Sequence, residues 1–463
     1  DPDLDQYRLI KIKMTLLTRT AVEELELSTK IADRCKNFFA MGFVYWLYNR
    51  DLQPTLDFIN AKFGGKPEIA AANEKALRAG YNYGETTEAA ISTYQVEKAK
   101  LEPGRYKSIM GNQALAWGCI AAAKLSNKDL FLGSYPITPA SDILHELSKH
   151  KKFGVRTFQA EDEIAAVCAT IGAAFGGHMS ITTSSGPGIA LKGEAMGLGM
   201  ILELPMLIIN IQRGGPSTGL PTKTEQSDLL QVMYGRNGES PLPVIAARSP
   251  ADCFETAIEA WRVAAKFMCP VMVLSDGYIA NGAEPWRIPD FNALEKIEIV
   301  HPGERSEEDP PFLPYKRDEF LSRPWALPGT KGLEHRIGGL EKDHETGNVS
   351  YDPENHEFMC KIRQEKIDRI ADFIPELEVD GEESGDLLVL SWGGTYGACT
   401  TAVTQCQAEG LSVSHAHLRF INPFPRNLET LLGNFKKVVV PELNLGQLQK
   451  IVSSTYGVQT EGI

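Results

Sequence analysis

The sequence predicts an α/β protein whose largest part is a doubly wound parallel sheet, and three observations lead to this prediction. Between Ser108 and Pro289, helix-like and strand-like segments alternate along the chain. The strand-like segments, such as MSITTSS and PMLIINIQ, are continuous apolar or β-branched runs, as expected for a parallel sheet covered by helices on both faces. Polar or glycine-rich turns follow several of these runs, at the edge where open α/β sheets bind ligands.

The predicted elements of this segment follow one another in a regular order. They are helix 111–125, strand 129–136, helix 141–150, strand 156–160, helix 163–177, strand 179–185, helix 191–203, strand 205–212, helix 250–267 and strand 270–276. Residues 296–357 are rich in Pro, Gly, His and charge, which predicts a long irregular connection. A further α/β unit is predicted from Asp386, with strands 386–393, 412–420 and 436–442 and a helix 398–410.

The first hundred residues predict a separate, mostly helical piece. A strand is predicted over Tyr7–Met14, followed by helices over Arg34–Asn49, Thr55–Phe63 and Ile69–Arg78. The polar stretch from Thr86 to Arg105 lacks strong apolar periodicity and ends in a Pro-Gly turn, so it is interpreted as a linker.

The composition excludes several classes of protein. A chain of 463 residues predicts two or three domains, and a net charge of -13 argues against a nucleic-acid-binding surface. The eight cysteines include no C-x-x-C pair, which predicts a cytoplasmic protein without an iron-sulfur cluster of its own. No run of about 18 apolar residues predicts a membrane span. Because the chain begins without Met and stops abruptly at YGVQTEGI, we expect both ends to lie within a longer polypeptide.

The first motif with chemical potential is YPITPAS, Tyr135–Ser141, which ends a predicted strand and opens a helix. Two prolines fix its backbone, while Thr138 and Ser141 offer hydroxyl groups, one to cap the helix and one to face a ligand. A rigid strand-to-helix turn without a ligand remains the alternative.

The second motif is QAEDE, Gln159–Glu163, directly before an apolar helix. Carboxylates at a helix N-terminus are favoured by the helix dipole, and capping is the preferred interpretation for Glu161 and Asp162. Glu163 begins a helix of small apolar residues, so its carboxyl group is expected to lie in a buried groove, where its proton affinity rises. Such a group suits the sharing of a proton with a ring nitrogen.

Two further motifs follow predicted strands. TTSSGPG, Thr182–Gly188, turns through glycines into a helix and lets backbone amides approach a ligand, although it lacks the nucleotide-binding G-x-G-x-x-G pattern. RGGPSTGLPTKTEQSDL, Arg213–Leu229, begins with an Arg at a strand end, which is suited to clamping a carboxylate. Lys223 in the same hydroxyl-rich loop suits a second anionic group, and an ordinary mobile surface loop is the alternative.

Together these four motifs resemble the α subunit of the 2-oxoacid:ferredoxin oxidoreductases, closest to the 2-oxoglutarate type. The resemblance covers nearly the whole chain and implies a division into four parts. These are 1–104 as a partial γ-type domain and linker, 105–295 as the domain that binds the thiamine pyrimidine, 296–384 as a connector and 385–463 as a transketolase-C-terminal-like domain.

The resemblance also implies roles for matching residues. Glu163 resembles the carboxylate that hydrogen-bonds the aminopyrimidine of thiamine diphosphate and promotes its imino tautomer, with Pro136 and Ile137 as further cofactor-binding residues. Thr138 resembles a hydroxyl that touches the substrate, and Arg213 resembles the cation that binds the 2-oxoacid carboxylate.

Charge and loop position further suggest Ser217, Thr218 and Lys223 for the distal carboxylate of 2-oxoglutarate. The implied reaction is reversible oxidative decarboxylation, with electrons passing through a [4Fe-4S] cluster to ferredoxin and the acyl group passing to coenzyme A. No GDG motif for Mg²⁺ is present, and the spacing from Asp276 to Asn281 is too short to replace it. Mg²⁺, the cluster and the diphosphate side of the cofactor site are therefore expected from a β subunit in an (αβ)₂ heterotetramer.

Three alternatives stay open. The same chemistry on pyruvate or on a broad range of 2-oxoacids would use the same shared motifs. A non-catalytic assembly subunit would keep the fold without the site, although the intact Glu163, Thr138 and Arg213 count against it. A NAD- or ATP-binding protein is disfavoured by the missing glycine fingerprint.

Overall fold

The computed structural model of the chain describes residues 9–87 and 93–463. The chain divides into two compact units, Asp1–Pro103 and Gly104–Ile463, called here the N-terminal unit and the main unit. The division into four parts that the family resemblance implies stays a prediction.

The N-terminal unit is helical over its described residues. Its helices are α1 (Met14–Ala21), α2 (Thr29–Arg34), α3 (Lys36–Leu47), α4 (Gln53–Phe63) and α5 (Pro67–Thr87). Glycine brings α3 and α5 into backbone contact, because a Cβ atom at Gly42 would lie 1.9 Å from the carbonyl oxygen of Leu77.

The strand predicted over Tyr7–Met14 is wrong in its described part. Residues 9–13 have no regular structure, and Met14 begins helix α1; Tyr7 and Arg8 lie outside the described residues. A strand needs a neighbouring strand for its backbone hydrogen bonds, and the described part of this unit contains only helices and loops.

The main unit alternates strands and helices. Its strands are β1 (Tyr106–Met110), β2 (Leu130–Ser134), β3 (Val155–Gln159), β4 (Met179–Ser184), β5 (Met206–Gln212), β6 (Val244–Ala246), β7 (Pro270–Asp276), β8 (Ala283–Arg287), β9 (Val379–Asp380), β10 (Gly385–Trp392), β11 (Val413–Leu418), β12 (Phe420–Asn422), β13 (Phe435–Val440) and β14 (Glu461–Gly462). Its helices are α6 (Gly111–Leu125), α7 (Ser141–Leu147), α8 (Glu163–Phe175), α9 (Gly186–Leu191), α10 (Gly193–Ile201), α11 (Leu229–Tyr234), α12 (Asp252–Phe267), α13 (Gly277–Asn281), α14 (Pro353–Arg369), α15 (Tyr396–Ala408), α16 (Leu428–Gly433) and α17 (Gln447–Tyr456).

The larger sheet has the strand order β12-β6-β7-β5-β4-β2-β3. Its strands run parallel except β12, which pairs antiparallel with β6. Every residue of β4, β5 and β7 is buried, so helices cover both faces of the sheet centre. The predicted doubly wound parallel sheet is confirmed.

The second sheet has the order β14-β13-β10-β11-β9 and belongs to the C-terminal part of the main unit. This part packs tightly on the larger sheet. A Cβ atom at Gly394 would lie 2.2 Å from Oδ2 of Asp276, at the end of β7. A third sheet pairs β1 with β8.

The long connection between β8 and β9 is irregular except for helix α14 and a short 3₁₀ turn that follows it. Buried charges attach it to the core, because Arg317 and Lys366 both form salt bridges with Glu203. Burial alone would raise the pKa of Glu203, but the charges and hydrogen bonds of Lys366 and Arg317 lower it to about 2. Across the described ranges, no helix combines the length and the apolar character that a membrane crossing requires.

Candidate functional site

The four sequence motifs meet at one edge of the larger sheet. They follow β2, β3, β4 and β5, which are parallel neighbours, and parallel strands end at the same edge. The register places Ser134 opposite both Gln159 and Thr183, and Ser184 opposite Asn210. The four motifs each follow a strand, and because these strands are neighbours in the sheet, the motifs are also adjacent in space.

Arg213 joins the first motif to the fourth. Its Nη1 donates to the carbonyl oxygen of Thr138 at 2.6 Å, and its Nη2 donates to the carbonyl oxygen of Thr218 at 2.9 Å. Its Nε is buried without a partner in the described structure, and burial lowers the pKa of the guanidinium. A guanidinium has five N–H donors, so donors remain for an anion.

The loop after Arg213 is closed on itself. The Gly214 N–H donates to the Lys223 carbonyl and the Leu220 N–H donates to the Gly214 carbonyl, both at 2.8 Å. Ser217 has a φ of 55° and Gly219 a φ of 48°, a left-handed conformation that is costly for Ser.

The predicted substrate residues of this loop are exposed. Ser217, Thr218 and Lys223 all face solvent, and so does Thr138 on the neighbouring motif. Pro136 and Ile137, which follow the end of β2 and precede Thr138, are half-buried.

A cavity of about 840 Å³ lies beside this loop. One wall is the turn at Gly186–Pro187, a second is the loop from Arg213 to Ser217, and a third is the segment Glu442–Gln447. The third wall is fixed by Gln226, whose backbone and side chain both hydrogen-bond to Leu443. Among the described residues that line the cavity, Arg213 and Ser217 are predicted site residues, while Glu163, Thr138 and Lys223 are not part of its lining.

Glu163 lies next to this cavity, behind the glycine turn. Asp162 caps helix α8 by accepting from the Ala165 N–H at 2.7 Å, which leaves the Glu163 side chain free for another partner. Glu163 is 7% exposed. A Cβ atom at Gly188 would lie 2.8 Å from Cγ of Glu163 and 2.0 Å from Oγ of Ser184, so only glycine fits there.

Lys192 is a site residue that the sequence analysis missed. It is fully buried, and its Nζ donates to Oγ1 of Thr182 at 2.6 Å and to the carbonyl oxygen of Thr183 at 3.2 Å. Burial lowers its pKa to about 7, although the charge of Glu163 acts in the opposite direction. The available signal was a single lysine within the small and apolar run GIALKGEAMG.

Asp228 is a second missed residue, and it lines the cavity. Its carboxylate accepts from Nδ2 of Asn210 at 2.8 Å and from Nε2 of Gln212 at 2.6 Å. Burial raises its pKa more than these hydrogen bonds lower it. Both amides lie on β5, so only the folded sheet brings them to Asp228.

These residues fit the pyrimidine side of a thiamine cofactor. Oγ of Ser184 and Oγ of Ser185 are buried without hydrogen-bond partners in the described structure, and the Ser184 and Glu163 side chains lie side by side against Gly188. Glu163, Pro136 and Ile137 are the residues that would hold such a ring. Over the described ranges, no group of three or more His, Cys, Asp or Glu side chains could hold a metal ion.

A parallel α/β sheet with a buried glutamate at a helix start and a cavity at the carboxyl edge defines a class of cofactor-dependent enzyme domains. Residues 122–352 match the protein family described as "Pyruvate flavodoxin/ferredoxin oxidoreductase, thiamine diP-bdg". This part of the chain is therefore a thiamine-diphosphate-binding oxidoreductase domain.

Two curated relatives and one solved structure narrow the class. The 2-oxoglutarate oxidoreductase subunit KorA of Mycobacterium tuberculosis is 56% identical over 100% of this chain and 70% of its own length. The 2-oxoglutarate synthase subunit KorA of Archaeoglobus fulgidus is 33% identical over 77% of this chain and 93% of its own length.

The 2-oxoglutarate:ferredoxin oxidoreductase from Magnetococcus marinus, solved with 2-oxoglutarate, coenzyme A and succinyl-CoA bound, superimposes with a TM-score of 0.86. It is 32% identical and aligns with 98% of this chain and 77% of its own chain. The chain belongs to the family of 2-oxoacid:ferredoxin oxidoreductase α subunits, and the resemblance inferred from the four motifs is confirmed. As a family member it is one subunit of an oligomeric oxidoreductase.

Proposed function

We propose that this chain is the α-type subunit of a 2-oxoglutarate:ferredoxin oxidoreductase. The complete enzyme would convert 2-oxoglutarate and coenzyme A reversibly to succinyl-CoA and CO₂, with electrons passing to ferredoxin. The observation that carries this proposal is 56% identity over the whole chain to a 2-oxoglutarate oxidoreductase subunit. The similarity to a structure with 2-oxoglutarate and succinyl-CoA bound supports the same substrate.

Glu163 would hold a proton at the pyrimidine ring nitrogen of thiamine diphosphate. When bound, the cofactor supplies the carbon nucleophile that attacks the 2-oxo group and accepts the electron pair of decarboxylation. Glu163 suits its task because it is buried and is not needed for capping, and its side chain packs against Gly188. Pro136 and Ile137 would hold the ring from the neighbouring strand end.

Arg213 would bind the carboxylate next to the 2-oxo group. Thr138 and Thr218 hold the guanidinium through their carbonyl groups, so it is oriented before substrate arrives. The Thr138 hydroxyl is exposed on the same edge, where it can donate to a substrate oxygen.

The exposed loop would recognise the distal carboxylate of 2-oxoglutarate. Ser217 and Thr218 supply hydroxyl groups and Lys223 supplies a charge. The left-handed Ser217 and the closed hydrogen-bond pattern around Gly214 support an ordered loop, which can distinguish 2-oxoglutarate from pyruvate.

The parts of the complete active site that this chain does not supply would come from a partner subunit. A β subunit would supply Mg²⁺, the [4Fe-4S] cluster and the diphosphate side of the site, in a cytoplasmic (αβ)₂ heterotetramer that reduces ferredoxin. Residues 1–104 would be part of a γ-type domain, 105–295 the pyrimidine-binding domain, 296–384 a connector and 385–463 the transketolase-C-terminal-like domain.

The test is reduction of a low-potential dye by the chain co-expressed with its partner subunit. We expect coenzyme-A-dependent activity on 2-oxoglutarate that greatly exceeds activity on pyruvate. Glu163→Gln should lower activity at least 100-fold, on the scale of lost acid-base groups. The matched control is Glu161→Gln, an exposed glutamate two residues earlier, which should keep its activity.

Each other outcome has a definite meaning. Equal activity on pyruvate would favour a broad 2-oxoacid enzyme, in line with the name of the matched family. No activity on any 2-oxoacid, with thiamine diphosphate and an intact cluster present, would favour a non-catalytic assembly subunit.

A further inference from the structure

Another cavity of the main unit, of about 520 Å³, lies beside strand β11. His415 and His417 of β11 line it, together with Tyr396 at the start of α15. Among the described residues, none lines both this cavity and the cavity beside Arg213. Its volume is in the range of pockets that hold small molecules, and no role described above uses it.

Two guanidinium groups line this cavity. Arg248 follows β6, and Arg419 lies between β11 and β12. Both approach one carboxylate, because Oδ1 of Asp252 lies 3.6 Å from Nε of Arg248 and 3.3 Å from Nη2 of Arg419. A single carboxylate therefore serves two guanidinium groups, which leaves an excess of positive charge at this place.

Two nitrogen atoms of the lining residues are buried without a hydrogen-bond partner in the described structure, Nε of Arg419 and Nε2 of His417. Burial lowers the pKa of His417 well below its usual value, so its ring is neutral and carries one N–H. Oγ of Ser391 lies 2.7 Å from Nδ1 of His417 and 2.7 Å from Nε2 of His415. When the single Ser391 proton is donated to His417, Nε2 of His417 carries the N–H and can donate it to an anion.

Three carboxylates line the cavity from a different segment of the chain. Glu376, Glu378 and Asp380 alternate along the residues that lead into β9, and all three are exposed. Strand β9 pairs antiparallel with β11, with Asp380 directly opposite His415. None of the three carboxylates forms a salt bridge with another residue that the structure describes. The cavity thus combines unpaired carboxylates with surplus positive charge.

We propose that this cavity binds a small basic α-amino acid, whose carboxylate accepts hydrogen bonds from Arg419 and His417 and whose ammonium groups donate to Glu376 and Glu378. The two unused nitrogens suit a carboxylate, because it accepts from several donors at once. The exposed acidic row suits ammonium groups, which donate hydrogen bonds and accept none.

The charges of the lining disfavour ligands of one sign. A simple anion would meet the three carboxylates, and a simple cation would meet the two guanidinium groups. A zwitterion satisfies both. Because three carboxylates face two guanidinium groups that already share Asp252, a ligand with a second cationic group matches the lining better than a neutral amino acid. The proposal is independent of the cofactor and substrate roles given above.

The experiment is calorimetric titration of the assembled complex with L-lysine and with two compounds that each keep one part of it. Cadaverine keeps both amines without the carboxylate, and hexanoate keeps the carboxylate without the amines. We expect L-lysine to bind at least tenfold more tightly than either compound. Equal binding of cadaverine would define a cation site and equal binding of hexanoate an anion site, and either result would overturn the proposal. So would the absence of binding by both L-lysine and L-arginine.

A double variant, Glu376→Gln with Glu378→Gln, tests the acidic row. It should lower the affinity for L-lysine about tenfold, because the ammonium groups lose their charged acceptors. The matched control is Glu382→Gln with Glu383→Gln, which also removes two exposed carboxylates but lies outside the cavity. Equal loss of affinity in both double variants would show general charge attraction only and would overturn the proposal.

Two variants test the carboxylate end. Arg419→Met should lower the affinity at least tenfold, while Arg262→Met should bind like the wild-type protein. Arg262 is a matched control, because its side chain is 22% exposed against 26% for Arg419 and it does not line the cavity. His417→Phe keeps an aromatic ring beside Tyr396 and removes the donor, so it should lower the affinity about tenfold even if Arg419→Met fails to fold. Wild-type affinity in His417→Phe and in the Glu376 and Glu378 double variant would overturn the proposal.

Discussion

Two glutamates of the main unit are both buried near helix ends, but their surroundings differ. Glu203 follows α10 and is 2% exposed, with one oxygen paired to Arg317 and the other to Lys366. Glu163 begins α8 and is 7% exposed, and within the described chain its carboxylate has no salt bridge and no hydrogen-bonded side chain. The first carboxylate is fully used by the fold, whereas the second is available to a ligand.

The same contrast extends to the lysines beside them. Lys366 is paired directly with Glu203, while the ammonium group of Lys192 is held by the Thr182 hydroxyl and the Thr183 carbonyl. Ion-paired buried charges attach the long connection to the core, whereas Glu163 and Lys192, at the edge where the four motifs meet, form no salt bridge within the described residues. The unpaired carboxylate of Glu163 thus lies at the edge where the four motifs meet, whereas the paired carboxylate of Glu203 lies where the connection is attached.

The largest expected effect on stability comes from breaking the saturated pair. Lys366→Met should destabilise the protein by about 3 to 5 kcal/mol, because it leaves the buried charge of Glu203 partly uncompensated. Glu163→Gln should change stability by less than about 1 kcal/mol, because no bonded partner is lost. Denaturant unfolding of both variants measures the difference, and equal losses would refute the contrast.

A smaller change in the free energy of unfolding is expected when the pH falls and Glu203 becomes protonated. Folding lowers the pKa of Glu203 from 4.5 to about 2, so its contribution is present above about pH 4.5 and is lost as pH falls toward about 2. The stability difference between the wild-type protein and Glu203→Gln should therefore narrow by up to about 3 kcal/mol over that range. Thermal unfolding at a series of pH values checks this, and a difference independent of pH would contradict it.

The sequence was sufficient for elements with a strong local pattern. Helix α6 and strand β7 have the predicted bounds, because continuous small or β-branched apolar runs leave few alternatives in a covered parallel sheet. The described part of the predicted strand Tyr7–Met14 was misassigned because apolar residues alone do not make a strand where the described part of the unit offers no neighbouring strand. Helix α14 was not assigned, since its polar sequence lacks an apolar period and it is held by the buried Lys366.

A residue of the candidate site could be predicted from the sequence only where its position after a strand determines its place in the fold. Motifs after parallel strands must meet at one edge, which brought Thr138 and Arg213 together as expected. Lys192 and Asp228 escaped prediction because their chemistry depends on partners from other strands. The sequence does not indicate which of the lysines is buried, because burial is determined by the strands and helices that surround the side chain in the folded protein.

The smallest stability effects are expected from two glycines with opposite requirements, Gly188 beside Glu163 and Gly172 nine residues further along α8. A Cβ atom at Gly188 would clash with Oγ of Ser184 at 2.0 Å, whereas at Gly172, inside α8, nothing lies within 4 Å. Gly188→Ala should cost about 1 to 3 kcal/mol through overpacking. Gly172→Ala should stabilise the protein by about 0.5 to 1 kcal/mol, because alanine is the better helix former.

The glycine pair also tests the site itself. Gly188→Ala should weaken thiamine diphosphate binding to the assembled complex, measured by titration of the melting temperature, because the added methyl group would displace the side chains of Ser184 and Glu163. Gly172→Ala should bind the cofactor like the wild-type protein. If Gly188→Ala binds the cofactor normally, cofactor binding does not depend on the positions of Ser184 and Glu163, and Gly188 serves only the packing of α9 against these two side chains.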